Sequence, residues 1–459
     1  MSSPQPVPYP PYRRSIVGPI VLITVGAFFL LANLHLVAWP NIGYWFARYW
    51  PLLLILIGVI KLAEHYAAQR AGYRTSGIGA GGVIFLIFVV VFGLAATRAS
   101  HVNWNGVGED MNWDNNWTWF GQSYSFNDQI DQPFPAGASL QVVSDSGNVN
   151  INSWDQNTMR VVVHKRVVSD SQDAANKVND VTKPTVVAAD NLLTVNANTT
   201  GGGSSRVTSD LDIYLPAAAA ADISTRRGDV LVRTRVGEVK VLTSHGDVTV
   251  EDVKGNATLR MRGGDAQVNN VTGDVSLESH VSDTTISNVT GALRLSGDFT
   301  GSMRLTKIGG GVQFTSSRTD LHFAKLDGEM TMDMGELRVS QLTGPFSVVT
   351  RSKDIHLDDV TGDIKVENTN GEVDVHATKL PLGTISIDNH RGEIQVTLPA
   401  KAAFQLDART QRGEIESDFS ELHVDSARGQ ATAAGAVGSG GPKLQITNQF
   451  GGIQIRKVG

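Results

Sequence analysis

The sequence predicts a mainly β protein, a parallel β-helix (β-solenoid) of about 18-residue coils preceded by three N-terminal transmembrane α-helices. Three observations predict it. Long apolar runs crowd the region before Arg98; Gly237, Gly255, Gly273 and Gly291 recur every 18 residues; and apolar side chains follow each of these glycines at alternate positions.

The bulk properties are compatible with both parts. A chain of 459 residues with 41% hydrophobic content can bury a sizeable core and is too long for one ordinary domain. A net charge of -6 and a pI near 6.0 argue against a nucleic-acid partner, whose footprint would be basic. The absence of cysteine excludes disulfides and thiolate chemistry. Forty-seven glycines beside only 7% aromatic residues suit many turns and slender strands.

Residues 1–14 form a Pro-rich tail ending in Arg13-Arg14, assigned to the cytoplasm. The membrane region, 15–98, holds expected helices at about 16–37, 44–65 and 78–97; Ile16 to Val37 carries no charge and is long enough to cross ~30 Å of hydrocarbon. Arg13, Arg14, Lys61, Arg70 and Arg74 lie on one side of these runs, against Arg48 on the other. That bias puts the N-terminus in the cytoplasm of a bacterial inner membrane and the chain after Arg98 outside it, periplasmic in a diderm cell. The first run is too long for a cleaved signal peptide.

Residues 99–124 form a linker rich in Trp and Asn. Trp104, Trp113, Trp117 and Trp119 among polar residues suit the headgroup zone of a bilayer; a stacking platform for sugars is the alternative. A leading β section follows at 125–224, with alternating segments such as SLQVVSDSGNVNI, TMRVVVHKRVV and DLDIYLP.

The repeat occupies 225–395. A second glycine series runs nine residues out of phase, through Gly228, Gly246, Gly264, Ser282, Gly301, Thr319, Gly335, Lys353 and Gly371. Each half-unit reads as a turn plus a short strand with one buried face, as at Val248 and Val250 or Leu293 and Leu295. One unit cannot bury that face alone, so coils must stack in parallel about 4.8 Å apart, roughly nine of them over a rod on the order of 40 Å. Calcium-binding toxin repeats share a nine-residue period but place Asp differently, and a β-sandwich gives no reason for an 18-residue rhythm. Beyond 395 the rhythm loosens into a C-terminal cap, 396–459, with 427–442 expected as a flexible loop.

The register predicts two outward columns. One residue after each glycine of the second series stand Asp229, Asp247, Asp265, Asp283, Ser302, Asp320, Glu336, Asp354 and Glu372. Carboxylates ~4.8 Å apart repel by nearly 1 kcal/mol even in water, so backbone hydrogen bonds in Asx-type turns or bound calcium must offset them. Two positions further on, Arg304, His322, Arg338 and His356 form a basic stripe suited to an anionic glycan or the acidic loop of a partner. The tripeptide Arg227-Gly228-Asp229 matches an integrin signal, but Gly-Asp recurs at Gly246-Asp247 and Gly264-Asp265 and so belongs to the turn.

No G-x-S-x-G, H-E-x-x-H or P-loop is present, and the tight coils lack the long loops of β-helix polysaccharide enzymes. No cofactor or enzyme activity is expected.

Two stretches resemble known families. GPIVLITVGAFFLLANLHLV with WPLLLILIGVIKL, about residues 15–66, is similar to the LiaI-LiaF-like transmembrane region of bacterial envelope-stress proteins. DLDIYLPAAAAADISTRRGDVLV, the repeated GDV turns, ISIDNHRGEIQVTLPAKAAFQLDARTQRGEIESDF and LQITNQFGGIQIRK, spanning about 125–459, resemble the bacterial domain of unknown function labelled putative adhesin. The resemblance implies a β-helical envelope domain and carries no catalytic residues. The expected function is a membrane-anchored binding or sensing surface of the cell envelope, in contact with the lipid bilayer and a membrane or envelope protein partner; a cell-surface adhesin and a polysaccharide-active enzyme are the alternatives.

Overall fold

The computed structural model describes residues 122–202 and 206–458. The three expected membrane helices and Trp104, Trp113, Trp117 and Trp119 lie outside the described residues. Among those described, no helix is long and apolar enough to cross a membrane.

The period-2 alternation has its predicted effect. Val248, Val250, Ala266, Val268, Val275 and Leu277 are all buried while the residues between them face out, and the inward side chains join one continuous core. Each coil contributes two strands, one to each of two facing ladders. In the first ladder Ser139–Ser144, Ala221–Arg227, Val239–His245, Ala257–Met261, Val275–Val281, Leu293–Phe299 and Val312–Thr315 stack in parallel. In the second ladder Val149–Trp154, Val230–Val236, Val248–Lys254, Ala266–Val271, Thr284–Val289 and Met303–Ile308 do the same. The solenoid therefore begins at residue 139, inside the leading section. The chain then leaves the stack through Thr158–Ser169 and the helix Gln172–Val181, which the strand-like reading of this section did not anticipate, and returns as Leu192–Asn196 and Arg206–Pro216, which lie parallel to Ser139–Ser144 and Val149–Trp154 and extend both ladders by one layer.

Coils change direction once. Thr319–Met332 is a single strand that runs through both ladders backwards, antiparallel to Val312–Thr315 in the first and to Met303–Ile308 in the second. Glu336–Ser352 returns antiparallel to it, and parallel stacking resumes on both of its halves. The run of nine equivalent parallel coils is corrected accordingly: the parallel stack is interrupted by one long hairpin. Gly310, not Gly309, stacks on Gly291, because the pairing slips to Leu293 with Val312.

The coil also has a corner that the five-residue strand reading lacks. Thr234, Asp252, Asn270, Asn288, Lys307, Gln341 and Asp359 take φ of 52–57° near the end of each second-ladder strand. This left-handed step puts two successive residues outside and returns the next one, such as Val253, Val271 or Val289, to the core. Asn and Asp tolerate that conformation better than most side chains.

At the C-terminal end the stacking order departs from chain order. Lys443–Phe450 and Ile453–Val458 insert between Ile385–Arg391 and Ile394–Pro399 on one side and Phe404–Arg412 and Ile415–Ser417 on the other. Residues 427–442, expected as a loop, contain the strand Gln430–Val437, which pairs antiparallel with Phe404–Arg412 and His423–Ala427. Its alternating Ala side chains bury Ala431 and Ala433, which low hydrophobicity had concealed.

Candidate functional site

The acidic column from Asp229 to Asp283 runs along one edge of the stack, and its carboxylates accept backbone N–H groups, as one of the two expected offsets had it, but between coils. Oδ1 of Asn148 accepts the backbone N–H of Asp229, Asp229 that of Asp247, Asp247 that of Asp265, and Asp265 that of Asp283, all at 2.9–3.0 Å. Asp283 accepts from Ser302 at 2.7 Å and Asp354 from Glu372 at 2.9 Å. Each bond joins one coil to the next rather than closing an Asx turn within a coil. A carboxylate accepting an amide proton is a charge-assisted bond, and it offsets the repulsion along the column. Among the described residues no group of three or more His, Asp or Glu side chains is placed to hold a metal ion. Asp320 leaves the column: it lies on the reversed strand, opposite Thr315 and Val349.

The basic stripe divides. Arg304, Arg338 and His356 face out from the second ladder, whereas His322 pairs with Gln313 and Ser347 on the first. The hairpin moved it, because Thr319–Met332 enters through the first ladder. The three that remain are neutralised by neighbours. Arg304 pairs with Glu329 at 2.5 Å, Arg338 with Glu336 at 2.6 Å, and His356 lies between Glu336 at 3.4 Å and Asp374 at 3.8 Å. His376 extends the cluster, 3.2 Å from Asp374 and 3.3 Å from Asp358.

The reversal creates a feature of different kind. Along the edge that carries Gly228, Gly246 and Gly264, each coil crosses from the first ladder to the second through a turn. Where the chain doubles back, it turns within one ladder at Ser316–Arg318 and within the other at Asp333–Gly335, so nothing crosses. The edge stands open from the turn Phe299–Gly301 to the turn at Lys353, three strand spacings or about 14 Å. The opposite edge stays closed, because both long strands run continuously around it.

This slot encloses about 380 Å³, with Phe299, Met303, Phe314 and Met332 forming its floor. Phe299 and Phe314 contact each other with ring centroids 5.3 Å apart. Asp298, Arg318, Asp333, Arg351 and Lys353 line the walls. Both carboxylates are committed to the frame. Asp298 accepts from the Ser317 hydroxyl at 2.7 Å, and Asp333 from the Gly335 and Glu336 amides at 2.8 Å each. These bonds hold both carboxyls below the usual Asp range. Two of the three cations are less committed: neither Arg318 nor Arg351 forms an ion pair among the described residues, although the Arg318 charge helps lower the Asp298 carboxyl. Lys353 occupies the position that Gly371 takes in the next coil, is 8% exposed, and donates from Nζ to the Asp333 carbonyl. Burial pulls its ammonium below the usual Lys range.

These features fall within a single family match. The model of the Toastrack DUF4097 family covers residues 114–456. The chain belongs to the Toastrack DUF4097 family. A second match, to the LiaI-LiaF-like transmembrane region, covers residues 16–62, so a membrane region precedes the Toastrack domain.

Among solved structures, a putative cell adhesion protein from Clostridium sporogenes is 9% identical, covering 73% of this chain and 100% of its own, with a TM-score of 0.17. Putative adhesins from Bacteroides fragilis and Parabacteroides distasonis are 10% and 12% identical, cover 72% and 73% of this chain and 97% of their own, and each have a TM-score of 0.20. No curated protein matches the chain.

Within the Toastrack domain, several structural side chains escaped the sequence reading. Arg235 is fully buried in register with Val253 and donates to the carbonyls of Pro216 and Ala219 at 2.8 and 2.7 Å. Burial without a carboxylate pulls its guanidinium down to about 10. Asn368, Asn389 and Asn448, buried three positions before a turn glycine, donate to the carbonyls of Lys353, Gly371 and Gly392 at 2.8–3.0 Å. The recurring Asn-x-x-Gly was their visible signal.

Proposed function

We propose that this protein is a bacterial inner-membrane protein whose Toastrack domain lies outside the cytoplasm and serves as a binding or sensing surface of the envelope. The observation that carries the reading is the joining, in one chain, of a LiaI-LiaF-like transmembrane region at 16–62 to a Toastrack domain at 114–456. Three spans, with the basic residues Arg13, Arg14, Lys61, Arg70 and Arg74 on the cytoplasmic side, would deliver the domain to the far face. The domain acts by holding a partner or ligand; its tightly stacked coils offer ladders and turns in place of the long loops that build catalytic grooves.

The natural absence of cysteine makes the topology testable. Single Ser3→Cys and Ser439→Cys variants, treated with a membrane-impermeant maleimide in intact spheroplasts, should label only at position 439. Labelling at position 3 alone would overturn the orientation. A crosslinking pull-down from native membranes would then separate the signalling and adhesive readings, since the first requires a membrane or envelope protein partner.

A further inference from the structure

We propose that the slot opened by the chain reversal is a binding site for a small soluble organic phosphate, with the anion held by Arg318, Arg351 and Lys353 and the apolar body resting on Phe299, Phe314, Met303 and Met332. The inference goes beyond the envelope reading and does not depend on which side of a membrane the domain occupies.

Several independent features converge on it. The opening is a consequence of topology: two hairpin turns replace the crossing turns that seal the edge elsewhere. It therefore brings the half-buried Phe299 and the buried Met303, Phe314 and Met332 to the bottom of an opening whose walls carry charge. Three cations line it, from the Ser316–Arg318 turn and from the Arg351–Lys353 turn, against two carboxylates, Asp298 and Asp333, each with one oxygen held by Ser317 or by the Gly335 and Glu336 amides. The charged lining is thus net positive by one, and both guanidiniums keep free donors. Arg forks and a Lys ammonium match a phosphate's oxygens. Lys353 is telling because most turns of its column carry glycine at that position. Its side chain points toward the preceding layer, where the slot leaves room for it. At 380 Å³ the volume is at the lower end of ligand pockets, suited to a small molecule rather than to lipid chains.

Isothermal titration of the full chain in phosphatidylcholine nanodiscs tests this with phenyl phosphate as the probe. Saturable binding absent from empty nanodiscs is expected, with inorganic phosphate and neutral phenyl β-glucoside each at least tenfold weaker. Arg318→Gln with Arg351→Gln should weaken phenyl phosphate binding at least tenfold while leaving the melting temperature unchanged, because both side chains are exposed. No binding beyond that of empty nanodiscs would overturn the proposal. So would an unchanged affinity in the double variant, or equal binding of inorganic phosphate or the glucoside.

Discussion

The Asp247 carboxylate accepts the backbone N–H of Asp265, one coil further along, at 2.9 Å. The same oxygen position repeats from Asn148 to Asp283, so the column is a hydrogen-bonded spine rather than a row of idle charges. Asp247→Asn keeps the acceptor and removes like-charge repulsion, and should leave the urea midpoint of the domain within experimental spread. Asp247→Ala deletes the acceptor and should cost about 1 kcal/mol. Equal losses in the two variants would show that charge, not the bond, matters at this edge.

Gly246 should be among the least replaceable residues. Its φ is +135°, and an added Cβ would fall on the Gly228 carbonyl. Gly246→Ala should lower stability by more than about 3 kcal/mol in chemical denaturation, because backbone must move as well as twist. Gly137, with φ +80° and open space around it, isolates the conformational part. Gly137→Ala should lose only about 1 kcal/mol.

Arg235 joins the coil of Ala221–Arg227 and Val230–Val236 to the segment that leads into it, through the Pro216 and Ala219 carbonyls. Arg235→Met preserves much of the volume and abandons both acceptors. A loss of about 2 kcal/mol is expected from denaturation curves, in line with hydrogen bonds from a charged donor. A neutral outcome would mean that the apolar stem alone secures this junction.

Acid should act on the reversal. The Asp333 carboxyl is lowered by the Gly335 and Glu336 amides, against an unperturbed value of 3.8. A carboxyl whose folded pKa is depressed contributes stability that is complete above the unfolded value and lost as pH falls through the folded one. Urea midpoints should therefore be insensitive to this group between pH 5 and 7 and should decline below about 3.8. Asp333→Asn should flatten that acid limb; an unchanged limb would assign it to other carboxyls, such as Asp359.

The coil period was legible because Val248, Val250 and their equivalents must face inward wherever a short strand recurs beside a turn. The reversal was not, since alternation is identical for parallel and antiparallel partners, and Leu321 and Phe323 look the same run in either direction. The second series ran on across it, through Thr319 and Gly335, with only a two-residue shortening between them. His322 was consequently assigned to the wrong ladder, and the slot, which exists only because of the reversal, could not be anticipated. Phe299, Phe314, Met303 and Met332 read as ordinary core. The left-handed corner was recoverable from Asp252, Asn270, Asn288 and Asp359, each followed by Val.

The interleaving at the C-terminal end sets an order of events during synthesis. The strands at Phe404–Arg412 and Ile415–Ser417 leave the ribosome before Lys443–Phe450 and Ile453–Val458, yet they rest on those later strands. Until residue 458 has emerged, they have no finished layer to settle against, and the open face of Ile385–Arg391 stays unpaired. Chain growth can therefore build the stack layer by layer only as far as Pro399; the remainder has to assemble as one unit, after elongation has passed it.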